Sequence, residues 1–164
     1  MSHTLILSHA HVVQIYATEF QKPLHGKISI VLNGHYYKLY SNSSTDFNAA
    51  QRRLEFYISW FGDSLCLGQD YPTSMRSYLG DRLPVFTDEE RLLLQETALF
   101  NAFYDMNHYS TNLARALSGT PAGDDWTGNI EEAVDENGVE IGPASQSDWL
   151  RVAPEGFRQL MKWV

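Results

Sequence analysis

The sequence predicts an α/β fold in which two parallel-type strands lie among about five helices. Apolar residues recur at helical spacing in several stretches separated by Gly and Pro, and two short β-branched or aromatic stretches lie between them. Helices that alternate with single strands follow the order of parallel βα units. Because two strands alone leave unpaired edges, a rearranged packing dominated by helices stays open as the alternative.

The N-terminal half is predicted to contain one strand between helices. Residues 5–20 carry apolar side chains with a helical period, and Pro23 ends that helix. The β-branched stretch 27–32 predicts a buried strand. Asp46 is expected to cap a helix whose apolar stripe continues to Phe61, and a short helix follows at 74–79.

The C-terminal half is predicted to hold the second strand and two further helices. The motif Thr87-Asp88-Glu89-Glu90 is typical of a capping box, so a helix begins there and continues to about residue 96. Residues 102–107 predict a strand, and 118–147 predict an irregular excursion with a small hairpin at Asn137-Gly138. The last helix begins at residue 154, and we expect residues 1–164 to form a single domain.

The composition excludes several classes of partner. The chain has 20 acidic and 12 basic residues and a net charge of −8, which repels nucleic acid and anionic membranes. The single cysteine, Cys66, rules out an internal disulfide framework, and without a signal-peptide pattern we expect a cytoplasmic location. No spacing of ligand residues is typical of a metal site and no Gly-rich loop follows a strand, so we expect no metal and no cofactor.

A series of short motifs extends along almost the whole chain. The motifs lie at 7–11, 26–34, 49–56, 60–63, 68–72, 82–84, 86–87, 106–109, 141–143, 147–150 and 154–158. In this order they resemble glycoside hydrolase family 1, the β-glucosidase family, and its fungal members in particular. The resemblance implies that the chain is a fragment of a (β/α)8 barrel in which the two predicted strands are neighbours.

The matching region lacks the two glutamates that cleave the glycosidic bond in this family. A retaining glycosidase needs two carboxylates about 5 Å apart. The family carries them in an Asn-Glu-Pro and a Thr-Glu-Asn-Gly motif, and neither motif occurs in the 164 residues. Glu136 precedes Asn137-Gly138, but it falls where the family has an outer loop, so we do not expect it to be a nucleophile. The resemblance thus implies a truncated internal segment without glycosidase activity of its own.

Polar and aromatic residues cluster after the two predicted strands, and carboxyl ends of parallel strands converge on one face. Imidazole next to a carboxylate can act as acid or base near neutral pH. The residues expected to be catalytic are His35, Asp105, His108 and Tyr109, and those expected to bind substrate are Tyr36, Asn107 and Trp60. The resemblance gives Tyr109 the place of a tyrosine that hydrogen-bonds the nucleophile of complete enzymes. The alternative is that His35 and Asp105 are loop residues that face solvent.

Three functions are compatible with the sequence. The first is a repurposed small enzyme that performs acid/base or cyclisation chemistry on an apolar small molecule. The second is a non-catalytic binding or assembly module, and the third is one piece of a split β-glucosidase. In each case the expected partners are a small-molecule ligand and a second copy of the chain, which would cover the strand edges.

Overall fold

The computed structural model describes residues 1–100 and 103–164, and these residues divide into two compact units. The first unit comprises Met1–Leu32 and Ile58–Met106, and the second comprises Asn33–Tyr57 and Asn107–Val164. The predicted single domain stays a prediction. The start of the predicted strand 102–107 lies outside the described residues.

The first unit is built mainly from helices. These are α1 (Ser2–Ile15), a π-helical turn (Tyr16–Phe20), α2 (Gln21–Leu24), α4 (Trp60–Leu67), α5 (Thr73–Leu79), a 3-10 turn (Gly80–Arg82) and α6 (Asp88–Ala98). Helix α1 packs against α4 and α6. Its residues Ile6, Ala10 and Val13 are fully buried, at the spacing that places them on one helical face. The predicted helices in this part of the chain are therefore confirmed.

Local signals in the sequence fix where two of these helices begin or end. The chain leaves α2 through His25, whose φ of 51° is left-handed, two residues after Pro23. Before α6, the backbone N–H of Glu90 donates to Thr87 Oγ1 (3.2 Å), and the backbone N–H of Thr87 donates to Glu90 Oε2 (2.8 Å). The predicted capping box is confirmed.

The second unit carries helices on a small sheet. The helices are α3 (Ser44–Leu54), which continues into a π-helical turn (Glu55–Ser59), and α7 (Pro154–Trp163). The prediction that Asp46 caps α3 is wrong, because Ser43 Oγ accepts from the Asp46 backbone N–H at 3.1 Å. Asp46 is buried and accepts hydrogen bonds from Ser41 Oγ (2.6 Å) and from the backbone N–H of Ala116 (2.8 Å).

More strands are present than the two that the sequence predicted. They are β1 (Val31–Asn33), β2 (Tyr36–Leu39), β3 (Asp105–Asn107), β4 (Thr111–Ala116), β5 (Ile130–Ala133), β6 (Asp135–Glu136) and β7 (Val139–Glu140). Strand β1 pairs with β3, as expected of the two predicted strands, but β1 begins only at Val31, so most of the strand predicted over 27–32 does not form. Strands β6 and β7 form the hairpin predicted at Asn137-Gly138.

A three-stranded sheet with the order β2-β4-β5 forms the centre of the second unit. Strand β2 is parallel to β4, with Tyr36 opposite Thr111, and β5 is antiparallel to β4. The sequence did not predict these strands because their charged residues hide any alternation. Strand β5 also lies inside the segment 118–147 that was expected to be irregular, and its consecutive acids, Glu131 and Glu132, pair with arginines distant in sequence.

The fold class is the predicted one, an α/β fragment with parallel pairing and no closed barrel. Within the described residues, no helix has the length and apolar character that a membrane crossing requires.

Candidate functional site

The link between β1 and β2 places His35 in contact with the start of β4. His35 Nδ1 lies 3.1 Å from Ser110 Oγ, within hydrogen-bonding distance, and the Tyr36 backbone N–H donates to the Ser110 carbonyl at 3.3 Å. The His35 ring lies 5.1 Å from the ring of Tyr57 and 6.4 Å from that of Tyr109, between centroids. His35 therefore does not extend freely into solvent.

The surroundings of His35 favour its neutral form. Burial lowers the pKa of His35, and the positive charges of His108 and Arg53 lower it further, against an opposing effect of Glu132. A neutral imidazole can accept a proton, so His35 has the protonation state of a general base near neutral pH.

The second histidine is oriented by the backbone of the β1–β2 link. His108 Nδ1 lies 2.7 Å from the carbonyl oxygen of Gly34, and because that oxygen can only accept, Nδ1 carries the proton. In neutral His108 the lone pair is then on Nε2. The ring also packs on Phe157 of α7, with centroids 4.9 Å apart.

Tyr109 follows His108 in the link between β3 and β4. It is 52% exposed, and its ring meets the ring of Trp149 edge-on at 6.4 Å. We refer to His35, His108, Tyr109 and Ser110 as the histidine cluster. Three of the four residues predicted to be catalytic thus lie in one cluster of the second unit.

The remaining residues of the predicted site lie outside the histidine cluster. Asp105 and Trp60 belong to the first unit, where Trp60 packs on Phe61 with ring centroids 5.8 Å apart. Asn107 ends β3, and its carbonyl accepts from the backbone N–H of Gly34 at 2.9 Å. Tyr36 lies in β2, where burial and then the charge of Glu155 raise its pKa.

Sequence reasoning missed a buried arginine behind the histidine cluster. Arg53 of α3 is only 3% exposed, and its Nη2 lies 2.6 Å from Glu132 Oε1. Its guanidinium lies over the rings of Tyr37, Tyr57 and Trp126, each within 5.1 Å of the ring centroid. The only sequence signal is an arginine on the apolar side of a predicted helix. Its partner Glu132 lies 79 positions away, so no local pattern links the two.

Two other candidate chemistries gain no support from the described residues. In that part of the chain, no group of three or more His, Cys, Asp or Glu side chains is placed to hold a metal ion. Glu136, which resembles a nucleophile in its sequence context, is exposed in the two-residue strand β6. That position is not the end of a buried strand, where a nucleophile would be held rigidly.

Comparison with known proteins identifies the family to which the chain is related. The family model described as glycosyl hydrolase family 1 matches residues 1–164. Beta-glucosidase 1B of Phanerodontia chrysosporium is 38% identical over the whole chain, and beta-glucosidase 12 of Oryza sativa subsp. indica is 37% identical over 99% of it. The matches cover 29% and 32% of those relatives, so the chain spans about a third of their length.

Solved structures agree with the sequence relationship. The β-glucosidase from Trichoderma harzianum is 42% identical and superposes with a TM-score of 0.90 over 98% of this chain and 34% of its own. The family 1 β-glucosidase from Humicola insolens, solved with glucose, is 41% identical with a TM-score of 0.90 over 99% of this chain and 34% of its own.

Proposed function

Because the chain belongs to glycosyl hydrolase family 1, we propose that its histidine cluster is a repurposed strand-end site that performs acid/base chemistry on an apolar small molecule. The proposal includes the absence of autonomous glycosidase activity from the 164-residue polypeptide. The observation that carries it is the fixed pair of imidazoles, His35 next to Ser110 and His108 on the Gly34 carbonyl.

The two imidazoles can divide a proton transfer between them. Neutral His35 removes a proton from a substrate C–H or O–H group, because burial keeps its pKa low. The hydroxyl of half-exposed Tyr109 or protonated His108 returns a proton to a second substrate atom, so the reaction is an isomerisation or a cyclisation without net loss of atoms. The aromatic rings of Tyr57, Trp149 and Phe157, which pack on the cluster, supply apolar contact area.

Glycoside cleavage by this polypeptide alone is not part of the proposal. That reaction needs a general acid and a nucleophile on opposite sides of the glycosidic bond, about 5 Å apart. The family motifs that supply the two glutamates do not occur in the sequence. The purified chain should therefore release no phenol from an aryl β-glucoside above background. Turnover that disappears with Glu136→Gln would refute this part of the proposal.

Base catalysis can be tested without knowing the natural substrate. The probe is 5-nitrobenzisoxazole, whose ring opens when a base removes one C–H proton. We expect a rate above that of free imidazole, which rises with pH through the lowered pKa of His35, and His35→Gln should abolish the excess. The control is His11→Gln, since His11 is exposed on α1 and should not contribute. A wild-type rate equal to free imidazole, or one unchanged by His35→Gln, contradicts base catalysis and favours a non-catalytic binding module.

One observation favours a second function, that of a component of a split β-glucosidase. The sheet of β1 and β3 contains only these two strands among those described, and Val31 of β1 is 53% exposed. Open strand edges of this kind are sites for further strands. Co-expression with segments that carry the Asn-Glu-Pro and Thr-Glu-Asn-Gly motifs should then restore aryl glucoside hydrolysis, and Tyr109→Phe should reduce it. Failure to restore activity eliminates the split-enzyme function.

A second copy of the chain is the alternative to added segments for covering the same edges. Sedimentation equilibrium distinguishes these cases, because a homo-oligomer forms without any added segment. A monomer at all concentrations contradicts self-association.

A further inference from the structure

A cavity of about 750 Å³ lies in the second unit, between β2, the β6–β7 hairpin and the first turn of α7. Its volume is in the range of small-molecule sites, which is about 300 to 1,000 Å³. On one wall, the backbone N–H of Val152 donates to the Pro143 carbonyl at 3.0 Å, which fixes the chain before α7. Among the described residues that line the cavity, none belongs to the histidine cluster, so a ligand here would be separate from the proposed acid/base site.

A buried hydroxyl at the cavity indicates that a ligand is bound there. Thr111 of β4 is 4% exposed, and its Oγ1 has no hydrogen-bond partner within the described part of the chain. A Cβ on Gly156 would lie 1.8 Å from this Oγ1, so the hydroxyl faces the first turn of α7, and both residues line the cavity. A buried hydroxyl without a partner costs free energy, and a ligand that accepts its proton removes that cost.

The surroundings of Thr111 favour a negatively charged group as that acceptor. The structure shows no side-chain cap on α7 among the described residues, so the partial positive charge of its first turn is not used by the protein. Lys38 of β2 lines the same cavity, and its ammonium group forms no ion pair with a described residue. Glu155 in this turn is already paired, since it accepts hydrogen bonds from Arg158 Nε and Gln159 Nε2, each at 2.7 Å.

The β6–β7 hairpin contributes the opposite charge. Glu136 of β6 is exposed and lines the cavity, and within the part of the chain that the structure describes its carboxylate makes no hydrogen bond or ion pair. The lining also includes apolar surface from Ile141, Pro143 and Val152. A simple anion would be repelled by Glu136, and a simple cation by Lys38. An uncharged ligand would leave both charges without a counter-ion.

We propose that this cavity binds a small zwitterion with an apolar body, the chemistry of an apolar amino acid or of a short apolar peptide. The ligand carboxylate accepts hydrogen bonds from Thr111 Oγ1 and Lys38 Nζ at the start of α7. The ligand ammonium donates to Glu136, and the apolar side chain covers the aliphatic part of the wall. Each free charge of the cavity then has a partner of opposite sign.

The experiment is isothermal titration calorimetry of the complete chain with leucine and with leucyl-leucine. We expect saturable binding of at least one of them, and the tighter of the two distinguishes an amino acid from a peptide. Three probes share the apolar body: isoamylamine lacks the carboxylate, isocaproate lacks the ammonium, and isoamyl alcohol lacks both. Each should bind at least tenfold more weakly. Saturation by neither zwitterion, or equal affinity for any of the three probes, overturns the proposal.

The substitution Thr111→Val separates ligand binding from stability. It removes a hydroxyl that has no partner in the free protein and keeps a side chain of similar shape, so the melting temperature should not fall. Binding of the zwitterion should nevertheless weaken about tenfold, because one hydrogen bond to a charged group is lost. Unchanged affinity, or a lower melting temperature, contradicts the role of Thr111 as a ligand-binding residue.

Two further substitutions test the charges. Lys38→Met and Glu136→Gln each remove one counter-ion of the ligand and should each weaken binding about tenfold. The matched control is Glu89→Gln, because Glu89 is exposed on α6 and does not line the cavity. Lys38 and Glu136 are exposed, so both variants should keep the circular dichroism spectrum of the parent. Equal affinity of the parent and both variants refutes this inference. The proposed base catalysis is unaffected by that result, because its probe and its variants involve other residues.

Discussion

Removal of Glu132 should destabilise the second unit strongly, because it leaves the charge of Arg53 buried without its carboxylate partner. Arg53 is 3% exposed, and Glu132 Oε1 also accepts hydrogen bonds from Arg53 Nε at 2.7 Å and from Tyr37 Oη at 3.3 Å. Breaking a buried ion pair from one side costs about 3 to 5 kcal/mol. The Glu132 side chain is 33% exposed, so water can partly replace it and the lower limit applies.

We therefore expect Glu132→Ala to lower the free energy of unfolding by about 3 kcal/mol. For a chain of this size, that corresponds to a decrease in melting temperature of about 6 to 12 °C. The measurement is urea and thermal unfolding followed by circular dichroism.

The neighbouring residue in β5 provides a matched control. Glu131 pairs with Arg115, and both side chains of this pair are more than 40% exposed. Exposed ion pairs contribute little, so Glu131→Ala should produce only a small part of the effect of Glu132→Ala. In addition, Arg53→Met combined with Glu132→Ala should recover much of the loss, because no buried charge is then left unpaired. Equal effects of the two glutamate substitutions, or no recovery in the double variant, would refute the reasoning.

Three further substitutions test individual features of the fold. Burial alone would raise the pKa of Asp46, but hydrogen bonds from Ser41 and Ala116 hold that pKa below its ordinary value. The Asp46 carboxylate therefore stabilises the fold above about pH 4, and this contribution is lost as the pH falls through the lowered pKa. With Asp46→Asn, the free energy of unfolding should fall less steeply as the pH is lowered. An unchanged dependence on pH would contradict a lowered pKa of Asp46. Thr87→Ala should cost about 1 kcal/mol in urea unfolding, whereas Thr87→Ser should cost much less. Gly156→Ala should destabilise the second unit, because its Cβ would lie 1.8 Å from Thr111 Oγ1, whereas Gly123→Ala meets no atom within 4 Å and serves as the control.

Local sequence signals predicted most helices of this chain correctly. Helix α6 begins where Thr87 and Glu90 satisfy each other's backbone amides, a pattern only four residues long. Helix α7 begins at Pro154, whose missing N–H costs nothing at that position. The hairpin at Asn137-Gly138 follows from two residues that tolerate left-handed backbone, with φ values of 51° and 79°.

The strands of the second unit were harder to predict, since their stability comes from partners distant in sequence. In the sequence, the acidic residues of β5 resemble a loop. Their ion pairs with Arg53 and Arg115 form only in the folded structure. The same holds for Asp46, which resembles a helix cap but is used to join α3 to the backbone of β4. From sequence alone, a charged residue is compatible both with an exposed loop and with a paired position inside the fold. Only the tertiary structure distinguishes the two.

The sequence predicted only part of the arrangement of side chains at the candidate site. His35, His108 and Tyr109 follow the ends of the two predicted strands and lie close together, because parallel strands bring their carboxyl ends together; their catalytic role stays a prediction. Ser110 was not predicted, because a serine next to a strand carries no distinctive signal. The cavity next to Tyr36 depends on the close contacts of Gly142 and Gly156, and a glycine in a sequence does not reveal what it touches.

The sequence by itself determined the family, the helices, the pairing of the first two strands and the lack of the two glutamate motifs, since each depends on short patterns or on residue identity. The tertiary structure decided which charges are buried, which nitrogen of His108 carries the proton, and where a cavity forms. These properties depend on burial and on distances between residues up to about 80 positions apart, and no local pattern encodes them.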